Sequence, residues 1–117
     1  MALDVSEFEG NVWFFETTEA VLNRTPRWET NAEFPPLSPR KAEVAARAEA
    51  QRLRPDVKVW SLDTVELRPV IDDCWCYVVG LHRGDIAITG KPYFLKVPVL
   101  MNGQAVQGAL EQRDLLK

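Results

Sequence analysis

Long apolar runs are missing from this sequence. Nowhere do eighteen apolar residues follow one another, and the N-terminus, MALDVSEFE, has no basic region followed by an apolar stretch. A membrane-spanning helix needs the first kind of run, and an export signal needs a basic region followed by a shorter apolar stretch. We therefore expect a soluble, cytoplasmic protein with no membrane partner.

A surplus of basic residues is also absent. The 117 residues include 14 Lys and Arg against 17 Asp and Glu, a formal charge of -3. Nucleic-acid-binding proteins usually gather a basic stripe, so we expect no nucleic-acid partner. The composition, 46% hydrophobic and 26% charged, is typical of a globular protein, and the length predicts one domain over residues 1–117.

Soft metal ligands are few. Cys74 and Cys76 lie two apart in a predicted strand, which puts their Cα atoms about 6.6 Å apart, near the upper limit for a disulfide. We expect free thiols. Structural zinc takes four ligands, and His82 is the only other soft candidate, so we expect no metal and no cofactor.

A recognisable catalytic motif is absent too. His82 with Asp85, and the pair Asp72 and Asp73, could act as acid–base groups, but no Ser, Thr or Cys stands in a nucleophile motif. Both acidic clusters fall in predicted turns, where Asp is favoured for its local hydrogen bonds. We therefore predict a protein that is not an enzyme.

The segment from Ser38 to Arg54 has the clearest local signature. Ser38 can cap a helix, Pro39 suits the first turn, and Pro55 ends the run. At about 100° per residue, one narrow face collects small apolar side chains, and Glu43 and Arg47 point away from it in the order that favours an ion pair. The pattern predicts a helix over 38–54 that lies close to a bulkier surface. The residues of that face are Ala42, Ala46, Ala50 and Leu53, with Ala45 beside them.

The preceding residues, 1–37, form an aromatic N-terminal segment. Residues 1–10 are acidic and end in a turn signal at Gly10 and Asn11, and Val12 to Glu16 could be a strand or a hydrophobic strap. Thr17 to Leu22 could form one or two helical turns capped by Thr17 or Thr18. We expect residues 27–36 to form an extended, mostly irregular connector between these turns and the main helix. Its anchored aromatics would include Trp28 and Phe34.

Residues 57–108 predict antiparallel strands. Cys74 to His82 is apolar on both faces and should be a central strand. Pro98 places its strand at a sheet edge or a bulge, and Asn102-Gly103 predicts a hairpin. The remaining predictions are a strand from Val57 to Val70 with a bulge around Ser61 to Thr64, a loop through Ile86 to Pro92, a strand from Tyr93 to Met101, a returning strand Gln104 to Gln107, and a helical turn in the tail.

These elements predict an α+β fold with one main helix packed across a four-stranded antiparallel sheet and the aromatic N-terminal segment folded on the core. Trp75-Cys-Tyr-Val-Val is similar to a W-x-Y-x-V strand, and Val99-Leu-Met-Asn-Gly103 is similar to a V-x-[LM]-[DN]-G hairpin. In these motifs, the stretch Pro39 to Val106 resembles PepSY-like or cystatin-like domains. PepSY-type domains are regarded as protein-binding or inhibitory modules, and the resemblance implies that role here.

A single helix covers only one face of a sheet whose central strand is apolar on both. The second face needs a cover, and we expect the N-terminal segment over part of it and a homodimer or protein partner over the remainder. The predicted ligand or partner surface comprises Trp28, Trp60, Trp75, Tyr77 and His82. The predicted function is a non-enzymatic interaction module. The alternative is a small-ligand or simple enzyme domain with a pocket between helix and sheet, where His82, Asp72 and Tyr77 would supply the polar groups.

Overall fold

The computed structural model describes residues 1–85 and 94–110, and within them the chain is α+β. Two antiparallel sheets of three strands each replace the predicted single sheet of four. One sheet has the strand order β1-β2-β6, and the other β3-β4-β5. In chain order the elements are β1 (Ala2–Phe8), β2 (Asn11–Glu16), α1 (Glu19–Leu22), α2 (Pro39–Leu53), β3 (Trp60–Ile71), β4 (Cys74–Arg83), β5 (Leu95–Leu100) and β6 (Gly108–Leu110).

Helix α2 begins and ends where the sequence predicts. The side chain of Ser38 accepts a hydrogen bond from the backbone N–H of Lys41 at 3.2 Å, and Arg54 is the C-terminal cap. The alanine face is buried, with Ala42, Ala46 and Ala50 fully inaccessible.

The charged side of α2 is less exposed than predicted. Glu43 is only 9% exposed and Glu49 only 6%. Glu43 forms the predicted ion pair with Arg47 at 2.9 Å, and Arg47 also donates to the backbone oxygen of Trp60. Glu43, predicted to point away from the buried face, is therefore an exception, because a carboxylate can be buried where several donors meet it. Arg40, on the same side of the helix, is exposed.

Strand β4 is the central strand of its sheet, as predicted. Its partner β3 carries a register shift between Leu62 and Thr64, where the sequence predicts a bulge, and a second shift between Pro69 and Ile71. On the other side of β4, Pro98 lies in the edge strand β5, which confirms the edge position predicted for it.

The two faces of this sheet have different covers. Tyr77 points to the side of α2, where its hydroxyl donates to the backbone oxygen of Leu37 just before the helix. Cys76 and Val78 point to the opposite side and are 0% and 2% exposed.

The N-terminal sheet covers that opposite side. Arg68 in β3 donates to the backbone oxygen of Leu3 at 3.1 Å, and the backbone N–H of Lys96 in β5 donates to Ser6 Oγ at 2.9 Å. Leu3 and Ser6 both belong to β1, so β1 crosses over β4 from one edge of the sheet to the other. The N-terminal segment therefore lies on this face as predicted, and Cys76 and Val78 are buried beneath it.

The fourth strand predicted for the sheet forms only a single bridge. Gly103 has φ +88° in the predicted turn, and Val99 bridges to Ala105, but the chain then leaves the sheet. It joins the other sheet as β6, where Gly108 pairs with Phe15. A Cβ on Gly108 would lie 2.8 Å from the Phe15 ring, so glycine permits this close approach.

The N-terminal residues are more regular than predicted. The acidic start of the chain forms β1, and Glu9 and Gly10, at φ +49° and +84°, make the tight turn into β2. Thr18, one of the two predicted caps, accepts a hydrogen bond from Val21 N–H at 3.2 Å.

Outcomes in the connector are mixed. Trp28 is half-buried, whereas Phe34 is 73% exposed, so the prediction that Phe34 is anchored was wrong. The predicted loop through Ile86 to Pro92, Tyr93 and residues 111–117 lie outside the described residues. The helical turn predicted for residues 109–117 was wrong at its start, because Ala109 and Leu110 lie in strand β6.

Glu49 should be a strong contributor to stability. It accepts hydrogen bonds from the backbone N–H of Gly108 at 2.7 Å and from Arg52 at 2.7 and 2.8 Å, so it ties β6 to α2. We expect Glu49→Ala to lower the free energy of unfolding by about 1–3 kcal/mol, because the partly buried N–H of Gly108 loses its acceptor and Arg52 loses its ion-pair partner. Denaturant unfolding measures this. Gln51→Ala, on an exposed position of the same helix, should change it by less than about 0.5 kcal/mol, and an equal loss in both variants would contradict the tie.

Candidate binding sites

Of the five residues predicted to form one surface, the structure brings two together. The rings of Trp28 and Trp75 lie with their centroids 5.1 Å apart and their planes at 66°, an edge-to-face pair. They line a cleft of about 290 Å³, together with Glu29, Thr30, Ala32 and Asp73. Both indoles are half-buried, so parts of both rings remain open to this cleft.

The other two aromatic residues belong to the core. Trp60 is 7% exposed and packs on the ring of Phe8 with centroids 5.3 Å apart. Tyr77 is 1% exposed, and burial raises the pKa of its hydroxyl. Neither side chain offers a surface to a partner.

His82 stands apart from both groups. It is half-buried, and its ring meets that of Phe94 edge-on with centroids 5.9 Å apart. Tyr77 and His82 are five positions apart on β4, so their side chains point to opposite faces. Asp72, in the turn before β4, is about 33 Å from His82 at the usual rise per residue. The three polar groups named for a pocket between helix and sheet therefore do not converge.

The outer edge of β5 shows how the backbone groups of this sheet alternate. Lys96 N–H donates to Ser6, and Leu100 N–H donates to the returning chain at 3.0 Å. Even-numbered residues of β5 thus point their backbone groups away from β4, and odd-numbered ones point toward it. By the same alternation on β4, Val79 bonds to β5 and Val78 bonds to β3.

The open backbone groups of β3 follow from this pattern. Glu66 pairs with Val78 and bonds inward, so its neighbours Val65 and Leu67 point their N–H and C=O groups outward. Pro69 presents an outward C=O but has no N–H. Among residues 1–85 and 94–110, no strand pairs with this edge. The sequence analysis missed this edge, although the period-two pattern and Pro69 are signals typical of an edge strand.

A groove of about 360 Å³ lies beside this edge, on the side of α2. Leu62 and Val65 form one wall and are 39% and 38% exposed. Arg40 and Glu43, which form an ion pair at 3.1 Å, stand on the helix side. Exposed apolar side chains beside an open strand edge are typical of a surface that takes another strand.

A network of five charged side chains fastens β4 to the N-terminal hairpin and to the end of α2. Arg83 bonds Glu9 at 3.0 Å and Asp85 at 2.9 Å, and Arg54 bonds Glu9 at 2.7 Å and Asp56 at 2.7 Å. Asp85 also accepts a hydrogen bond from the backbone N–H of Lys58. Each charge meets an opposite charge, so we assign the network a structural role.

The part of the chain that the structure describes has neither a metal-ligand cluster nor a membrane-spanning helix. Both cysteines are free and buried, as predicted, and residues 1–85 and 94–110 hold no cluster of three or more metal-ligating side chains. Neither helix that the structure describes is long and apolar enough to cross a membrane.

Comparisons of the chain with protein-family models, with curated proteins and with solved structures found no match.

The charged network predicts a loss of stability in acid. The hydrogen bond from Arg54 lowers the pKa of Asp56 to about 2, and hydrogen bonds from Arg83 and the Lys58 N–H lower that of Asp85. A carboxyl whose pKa is lower in the folded state stabilises the fold above its unfolded pKa of about 3.9 and loses that effect as pH falls toward the folded value. We expect the free energy of unfolding to fall between about pH 5 and 2.

Denaturant titrations at a series of pH values measure this slope. Asp56→Asn and Asp85→Asn should each make it shallower, whereas Asp63→Asn, which removes an exposed carboxylate outside the network, should leave it unchanged. An identical slope in all three variants would count against the network as its source.

Burial also predicts an inert thiol at position 76. Desolvation raises the pKa of Cys76 to about 11, so the reactive thiolate is scarce near neutral pH. We expect slow labelling of Cys74→Ser protein by a disulfide reagent in the native state and rapid labelling once denaturant is added. Fast labelling of the native variant would show that the N-terminal hairpin does not shield this face.

Proposed function

We propose that the chain is a non-enzymatic interaction module that associates with a second copy of itself through the edge of β3. The observation that carries this proposal is the set of outward N–H and C=O groups on Val65 and Leu67, beside the groove walled by Leu62. Strand addition satisfies such groups with backbone hydrogen bonds and gives adjacent side chains an apolar neighbour. A second copy supplies a strand of the same shape, related by a two-fold axis.

The charges along β3 favour one register for this pairing. A two-fold axis through Leu67 places Leu67 opposite its own copy, Val65 opposite Pro69, and Glu66 opposite Arg68 of the second copy. Opposite charges face each other twice in this arrangement, which favours the pair. An axis through Glu66 or Arg68 would instead place like charges opposite each other.

The resemblance of Pro39 to Val106 to PepSY-like and cystatin-like domains belongs to the same proposal, because it implies a protein-binding role. We also propose a cytoplasmic location. Two free thiols, Cys74 and Cys76, fit a reducing compartment.

Val65→Pro tests the edge directly. It removes an N–H that points away from β4, so the single chain loses no hydrogen bond of its own, but a dimer loses two donors. At about 1 kcal/mol for each hydrogen bond, the dissociation constant should rise about 30-fold. Sedimentation velocity over a wide range of protein concentration measures it.

Val65→Thr is the matched control, since it keeps the backbone donor and a β-branched side chain at the same position. It should associate much as the unaltered protein does, and thermal unfolding of dilute Val65→Pro should show that the fold survives. A protein that stays monomeric at every concentration would overturn self-association, and undiminished association of a folded Val65→Pro would overturn the β3 edge.

A further inference from the structure

The cleft between Trp28 and Trp75 has the chemistry of a cation site. An edge-to-face pair with planes at 66° leaves a corner bounded by two indole faces. The face of an indole carries the negative part of its quadrupole and attracts cations more strongly than the rings of Tyr or Phe do. The corner therefore offers two attractive walls to one positive group.

The charged residues around this corner are acidic. Glu29 and Asp73 line the cleft, and the other lining residues, Thr30 and Ala32, are uncharged. Both carboxylates are exposed, so they can turn toward a cation without the cost of leaving water. Walls and rim thus select for positive charge together.

The two walls are held in place before any ligand arrives. The backbone N–H of Trp28 donates to the backbone oxygen of Asp73 at 3.2 Å, and its indole N–H donates to the backbone oxygen of Ala32 at 3.0 Å. Trp75 stands on the central strand β4, paired with Pro69. The donor of Trp28 is used within the fold, and its ring face remains for binding, which lowers the ordering cost of a ligand.

We propose that this cleft binds the methylated ammonium group of a small free molecule, such as a trimethylammonium compound. Among cations, quaternary ammonium groups are those that aromatic walls recognise, because they carry charge on a weakly hydrated, apolar surface. A cleft of about 290 Å³ is at the small end for ligand sites and suits a headgroup of this size. The two carboxylates repel the phosphate of a phosphocholine lipid, which favours a free compound over a membrane headgroup.

Choline and its neutral isostere 3,3-dimethylbutan-1-ol separate charge recognition from simple apolar binding. Protein labelled with ¹⁵N has four indole N–H signals, one for each tryptophan. We expect choline to shift the signals of Trp28 and Trp75 with a dissociation constant on the order of 1 mM, while those of Trp13 and Trp60 stay in place. The isostere and sodium chloride at equal ionic strength should leave all four unchanged.

Two exposed variants test the rim without endangering the fold. Glu29→Gln and Asp73→Asn should each weaken choline binding by about two- to five-fold, the range expected for one exposed charge. Glu33→Gln removes an exposed carboxylate of the same connector that does not line the cleft, and it should bind as the unaltered protein does. Trp28→Phe should weaken binding several-fold and also identifies the Trp28 signal.

Several outcomes would overturn the proposal. They are no selective shift with choline, an equal response to the neutral isostere, or equal affinities of Glu29→Gln, Asp73→Asn and Glu33→Gln. Binding confined to a peptide that contains trimethyllysine, or to phosphatidylcholine vesicles, would also overturn it, because the group would then belong to a macromolecule.

Discussion

Strand β4 is apolar on both sides, and the need to keep both sides from water is the constraint on which the rest of the structure depends. Tyr77 and Val79 face α2, while Cys76 and Val78 face the N-terminal hairpin, and all four are at most 2% exposed. The helix meets its side with alanines, which lets it lie close to the strands. The hairpin reaches the other side because Arg68 and Ser6 tie β1 to opposite edges of the sheet. Each square ångström of apolar surface that these covers remove from water contributes about 25 cal/mol.

The two edges of the sheet differ in how their outward backbone groups are paired. At β5, Ser6 and the returning chain occupy the outward backbone groups, whereas no described strand occupies those of β3. The open stretch of β3 is short, since a register shift stands at each end and Pro69 lacks a donor. Irregularities of this kind discourage indiscriminate strand pairing, and they leave Val65 and Leu67 as the positions where a partner in one register can bond.

Local signals in the sequence were enough to predict some elements and not others. Helix α2 could be predicted from the cap at Ser38, from Pro39 and from the spacing of the alanines. Strand β4 could be predicted as central because it is apolar on both faces. The burial of Glu49 could not be foreseen, because its acceptor role depends on Gly108, far along the chain. The division into two sheets also depends on a contact between distant residues. The turn at Asn102-Gly103 predicts that the next strand pairs with its neighbour, but the chain leaves that sheet and Gly108 pairs with Phe15.

The candidate sites show the same limit more sharply. Five residues were predicted to share a surface, but a strand places Tyr77 and His82 on opposite faces, and the core takes Trp60. Trp28 is held beside Trp75 by hydrogen bonds to the backbone oxygens of Asp73 and Ala32, and no periodicity in the sequence indicates these contacts. These hydrogen bonds use the backbone N–H and the indole N–H of Trp28, and neither group is needed to bind a cation. The half-buried ring faces and the exposed carboxylates of Glu29 and Asp73 take no part in anchoring the connector. In this respect the cleft differs from an aromatic contact in the core, where the ring faces are covered.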